Sequence, residues 1–176
     1  MTDPFLTPPD ATEYAAPFAN YVEQTPAGDV RVLLTKQLDD TLTLVRGLSE
    51  QESLMRHAPY TWSVKQVVGH IADCERVFGH RVLWIARGGA APLASFDETI
   101  FMEAADFDRW PFAELLEELE LVRRSHLALL RHLEPTAWTR RGVVLNQPTT
   151  VRAMARVMYG HAEHHLKILR KRLAPG

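Results

Sequence analysis

The chain has 176 residues, an apolar fraction of 46% and a charged fraction of 24%, values that suit one water-soluble globular domain with enough core to fold alone. A formal net charge of -2 supplies no surplus of cations for general phosphate attraction, which argues against a nucleic-acid binder. Cys74 is the single cysteine, so an intrachain disulfide and a thiolate metal cluster are excluded, and any metal site must be built from histidines and carboxylates.

The opening residues, MTDPFLTPPDATEY, show neither a basic n-region nor an apolar h-region, and no apolar run approaches the ~18 residues of a membrane span. The cytoplasm is the expected compartment. Residues 1–28 hold Pro4, Pro8, Pro9, Pro17 and Pro26. Proline lacks an amide donor and disfavours helix in the residue before it, so this stretch reads as an extended, irregular arm. Phe5, Phe18 and Tyr21 would lay the arm on the body of the domain, which occupies residues 29–176.

Four helices are predicted after the arm. The first spans about residues 30–48, with Asp29 as N-cap and Leu33, Leu34, Leu38, Leu42 and Val45 on one side. The second opens at Ser63, with Gln66 completing a capping-box pattern, and stops at Gly88-Gly89. The third begins near Trp110-Pro111 and ends around Leu133, before Pro135. The fourth follows Pro148, is capped by Thr149 or Thr150, and continues to about Leu173, before Pro175. The β-leaning Gly142-Val143-Val144-Leu145 is too short to promise a sheet. Four amphipathic helices of this length pack best as an all-α four-helix bundle. The connection of about 20 residues before Arg109 is long for a compact domain and suggests a functional or covering loop.

The fourth helix carries the chemistry. Val151, Met154, Met158, His161, His165, Ile168 and Arg172 follow the 3-4 spacing of a stripe that faces a bundle core. His161 and His165 thus sit one turn apart on the buried side, an arrangement that aims two imidazoles at one point, as a metal ion needs. The bland alternative is a pair of core histidines bonded to carboxylates. On the second helix Val67, His70, Cys74, Val77, Arg81 and Trp84 repeat the spacing, so His70 leans inward too. Three neutral nitrogen ligands from two helices leave positions open for water or substrate. His164 lies one step off the stripe and is expected beside the site or on the surface. Asp73 and Glu75 are candidates to support a ligand ring or act as a base, and Arg81 to hold an anionic group. Cys74 could reach the pocket but more simply fills core. The acids and bases of the third helix, among them Glu114, Glu118, Arg123 and Arg131, read as a solvated face, and His126 with them.

Trp62-Ser63, His70, Asp73, Glu75-Arg76 and Arg81, together with Gly160-His161 and His164-His165-Leu166, resemble the second- and fourth-helix signatures of the DinB-like, or YfiT-like, superfamily of metal-dependent enzymes. The likeness covers about residues 30–173. It implies an up-down-down-up four-helix bundle, frequently a homodimer, with nickel, zinc or a similar divalent ion held by His70, His161 and His165. It also implies a function: transfer to or from a low-molecular-weight thiol, or hydrolysis, on a small-molecule substrate. The alternative is a non-catalytic metal-binding or stress-response protein. Exposed Trp110 and Phe112 would serve the dimer. Gln66 and Ala162 stand where relatives often carry Glu, so each is expected to remove a carboxylate that orients a ligand ring.

Overall fold

The computed structural model describes residues 3–174; Met1, Thr2, Pro175 and Gly176, which belong to the two expected segments, lie outside them. Eight α-helices form among the described residues: α1 (Ala19–Glu23), α2 (Val30–Val45), α3 (Glu50–Ser53), α4 (Val64–Ala86), α5 (Glu98–Ala105), α6 (Phe112–Arg131), α7 (Pro135–Trp138) and α8 (Val151–Leu173). The four long ones, α2, α4, α6 and α8, make an up-down-down-up four-helix bundle in which α4 packs on both α6 and α8 and α2 closes the other side. No helix is long and apolar enough to cross a membrane among the described residues.

Local chemistry sets the starts of these helices. The Asp29 carboxylate accepts from the amide of Arg31 at the start of α2. Ser63 and Gln66 form a reciprocal capping box on α4, and the Thr150 hydroxyl accepts from the amide of Ala153 on α8. Each satisfies a backbone donor that the first turn leaves orphaned. The two halves of the core are apolar clusters, one around Phe78, Trp138 and Met158 and the other around Ile71, Leu115 and Leu166.

Between the halves runs a polar seam that the sequence pattern does not reveal. Arg123 is 2% exposed rather than solvated. Its guanidinium pairs with both carboxylate oxygens of Glu75, at 2.9 and 2.7 Å, and donates to the Leu34 carbonyl and the Gln37 side chain. Gln37 in turn donates to the Tyr159 carbonyl, 3.0 Å away on α8. One buried guanidinium therefore joins all four long helices. His126, expected in solvent, is half-buried, with Nδ1 3.4 Å from the same Glu75 carboxylate. Gly79 leaves the room for it, because a Cβ there would collide with the His126 ring.

Three further features depart from expectation. Where extended chain is expected, residues 11–13 and 16–18 form 3-10 turns that lead into α1. Glu13 fixes this segment by accepting from Thr150 (2.8 Å) and Arg152 (2.7 Å) at the start of α8. Gly160 allows the close approach, since a Cβ would strike the Tyr21 backbone. Second, residues 141–150 do form a small sheet. Arg141–Val144 (β1) pairs antiparallel with Gln147–Thr150 (β2), joined by Leu145 and Asn146 at φ of 51° and 59°. Third, Phe112 is buried, while Trp110 is 40% exposed.

Removing Arg123 strands the Glu75 carboxylate inside the bundle, and breaking a buried pair in this way costs about 3–5 kcal/mol. Arg123→Ala should therefore lower the urea unfolding free energy by that amount, whereas Arg124→Ala, on the exposed side of the same helix, should leave it within about 0.5 kcal/mol.

Candidate metal centre

His70 on α4 and His161 and His165 on α8 face one another across the helix pair. One ring nitrogen from each lies within 4.8 Å of those of the other two. The ring centroids are 5.0 Å (His70–His161), 4.7 Å (His70–His165) and 4.7 Å (His161–His165) apart. The Nε2 atoms of His70 and His161 approach to 3.1 Å. The His165 ring makes no hydrogen bond among the described residues, and the His161 ring none beyond this one. Aromatic walls hold the rings: Trp62 lies 5.0 Å from His70 and stacks on His165 at 6.4 Å, while Phe78 and Tyr21 meet His161 edge-on at 5.3 and 5.4 Å.

Burial sets the charge of this cluster. His70 and His161 are 3% and 4% exposed, and desolvation penalises the imidazolium form. The His70 pKa falls to about 4, first through burial and then through repulsion from His164. That of His165 falls to about 3, through burial and then His70 and His164. His161 is pushed well below its ordinary range for the same leading reason. All three rings are neutral at pH 7, the state that binds a cation. A set of inward-aimed imidazoles, short of hydrogen-bond partners and with the Glu98 carboxylate no nearer to His70 Nε2 than 4.0 Å, fits a divalent ion bound through nitrogen better than it fits apolar packing.

Other candidate residues fall in several places. His164 is exposed, its ring 6.3 Å from Tyr21 and outside the three-histidine group. Glu75 is committed to Arg123 and His126, as above, and pairs with none of the three converging histidines. Asp73 is half-buried and pairs with Arg76 (3.4 Å), its pKa raised mainly by burial. Cys74 places Sγ 3.7 Å from His70 Nε2, and burial pushes its thiol pKa up, so it stays a neutral thiol. Gln66 serves the α4 cap and accepts from Arg56, while Ala162 sits in the apolar cluster with Leu166. A carboxylate at 66 would act on the helix terminus, and one at 162 would enter the core.

The covering connection supplies residues that helical spacing cannot find. Leu93 accepts from and donates to the β1–β2 hairpin (Leu93 N to Val143 O 2.8 Å, Leu145 N to Leu93 O 3.2 Å). This contact draws residues 95–99 over the site. Asp97 caps α5 through the amides of Thr99 and Ile100, and the exposed Glu98, first residue of that helix, places Oε2 4.0 Å from His70 Nε2. Under this cover is a cavity of about 640 Å³ walled by Phe18, Tyr21, Phe78, Arg81, Phe96 and His161, among others. A histidine–carboxylate approach across 28 residues carries no local sequence signal.

Replacing His161 or His165 with Ala should lower bound zinc or nickel per chain, read by elemental analysis after dialysis, from near one to near zero. His164→Ala should retain it. The titrations fix a second expectation. Unfolded histidines gain a proton below pH 6.5, whereas the folded rings resist it to about pH 4 for His70 and about 3 for His165. The unfolded state then binds more protons, so the metal-free protein loses stability as pH falls from 6.5 toward 4, and replacing His165 with Gln should flatten that slope in urea titrations.

A family model described as the DinB superfamily matches residues 33–169. Among solved structures, YfiT from Bacillus subtilis, described as a probable metal-dependent hydrolase with an unusual four-helix bundle topology, superposes with a TM-score of 0.72 at 20% identity, covering 81% of this chain and 85% of that one. A mycothiol-dependent maleylpyruvate isomerase superposes with a TM-score of 0.62 at 14% identity, covering 76% of this chain and 58% of the isomerase. No curated protein sequence matches. Since the family match takes in α4 and most of α8 with all three histidines, and the same bundle recurs in YfiT, the chain belongs to the DinB superfamily.

Proposed function

We propose that this protein is a metal-dependent enzyme acting on a small molecule, with one divalent cation, nickel or zinc, held by His70, His161 and His165. The observation that carries the reading is the convergence of three neutral imidazoles, one of which, His161, lines the cavity, with no fourth protein ligand grouped with them among the described residues. The metal, when bound, lowers the pKa of a thiol or water and so supplies a nucleophile near neutral pH. A low-molecular-weight thiol as co-substrate gives S-transfer, and water gives hydrolysis. The descriptions of YfiT as metal-dependent and of the isomerase as mycothiol-dependent support both branches.

The chain's own residues divide the remaining work. Glu98, whose carboxylate hangs over His70, is placed to take a proton from the incoming nucleophile and return it to the leaving group. Phe18, Phe78 and Phe96 exclude water and seat an apolar substrate body. The Tyr21 phenol stays protonated, its pKa raised by burial and then by the Glu98 charge, and so can donate a hydrogen bond. We further propose a homodimer, supported by the exposed apolar side chains Ile100, Phe101 and Trp110 of the covering segment. Light scattering should give twice the mass of one chain.

The zinc-loaded protein should accelerate conjugation of cellular thiols to an electrophile such as 1-chloro-2,4-dinitrobenzene, or hydrolysis of p-nitrophenyl esters, and His161→Ala should abolish the rate. Glu98→Gln should lower it about a hundredfold, the usual share of a general base, with metal content unchanged. A fully loaded protein no faster than free zinc in both assays would favour a non-catalytic metal-binding protein.

A further inference from the structure

We infer that Arg81 is an anion-recognition residue of the cavity, taking the carboxylate of a small molecule whose apolar body rests on Phe78 and Phe96 and whose other end reaches His161. The inference deepens the function proposed above and rests on that cavity being the substrate site.

Arg81 is 3% exposed. The other deeply buried guanidiniums have their charge or donors met by the protein: Arg123 by Glu75 and carbonyls, Arg156 by the carbonyls of Leu6, Pro26 and Gly28, and Arg172 by those of Met55 and Trp62. Arg81 makes one hydrogen bond, from Nη2 to the Ala94 carbonyl at 2.8 Å, and no ion pair among the described residues. A guanidinium carries five N–H donors, and those that the protein leaves without acceptors open into the cavity that Arg81 lines rather than into sealed core. The carboxylates of the cavity wall do not answer it: Asp97 is taken up by the amides of α5, and Glu98 turns to His70.

The surroundings define the missing partner. Guanidinium and ring lie close on both sides, with the Arg81 Cζ 5.9 Å from the Phe78 centroid and 5.7 Å from that of Phe96. These apolar rings thin the water around the charge and strengthen a charge-assisted bond. The planar fork of arginine matches a carboxylate in two parallel hydrogen bonds. Phe78 also touches His161 edge-on at 5.3 Å, so a single ring separates the cationic end of the cavity from its imidazole end. A carboxylate on a short aromatic or aliphatic body spans that distance.

The test uses the zinc-loaded full chain and four probes: phenylacetate, 3-phenylpropionate and their neutral amides, titrated by calorimetry. The acids should bind at least tenfold more tightly than the amides. Arg81→Gln should bind acid and amide alike, and Arg81→Lys should keep part of the preference, both with unchanged zinc content. The preference should persist in metal-free wild-type protein, because it belongs to Arg81 and not to the ion. Equal binding of acid and amide by the wild type, or no binding of either, overturns the inference whether or not the variants fold. A preference that disappears with zinc but survives Arg81→Gln overturns it too, by placing the carboxylate on the metal while the metal centre itself stands.

Discussion

Three imidazoles brought to one point between α4 and α8, two of them buried and His165 half-buried, constrain the rest of this molecule. Each must stay uncharged, because an imidazolium there would meet both desolvation and two like neighbours. Each must also aim a nitrogen where the other two aim theirs. That fixes the rotation of α8 about its axis, since a shift of one residue would bring forward His164 and bury it in place of His165. It fixes the register of α4 against α8 as well, because His70 has a single turn of helix in which to meet both partners. Trp62, Phe78 and Tyr21 then fill the space around the rings and hold their planes.

The buried Arg123–Glu75 pair holds that register. Such a pair contributes less net stability than its Coulomb attraction suggests, because two ions must be desolvated. Its value here is geometric: the guanidinium finds its acceptors on α2 and α4, and Gln37 extends the network to α8, in only one alignment of the bundle. The Arg123 charge also adds, after burial and the neighbouring histidines, to what keeps His161 neutral. The up-down-down-up order has its own consequence. Parallel neighbours α4 and α6 require a connection that travels back along the bundle, and residues 87–111 are that connection. The chain uses it to roof the site, pinned by Leu93 to the hairpin and by Asp97 at the start of α5.

The long helices and the three histidines were legible because both depend on local rules: caps, glycine and proline stops, and a 3-4 spacing that survives folding unchanged. What escaped is non-local. Arg123 looks like every other charge on an acidic-basic helix, and only the arrival of Glu75 from 48 residues away makes its burial affordable. Glu98 is one acid in a connection without helical phase, brought over His70 by a hairpin whose turn, Leu145-Asn146, lacks the glycine that usually marks it. The arm read as extended from its prolines, yet the Asp10–Glu13 capping box nucleates a turn between them. Gln66 serves a helix cap and Ala162 lies in an apolar cluster, surroundings that the spacing of the histidines does not announce. Spacing reveals which face a residue occupies, but its partner is set by the other elements.

The central claim is that these histidines converge on one ion, and anomalous diffraction at the zinc edge from crystals of the zinc-loaded protein tests it most directly. The account predicts one strong peak per chain inside the bundle, about 2.0–2.2 Å from a ring nitrogen of each of His70, His161 and His165. A protein that crystallises with zinc at the surface alone, or with the three rings hydrogen-bonded among themselves and no peak between them, would contradict it.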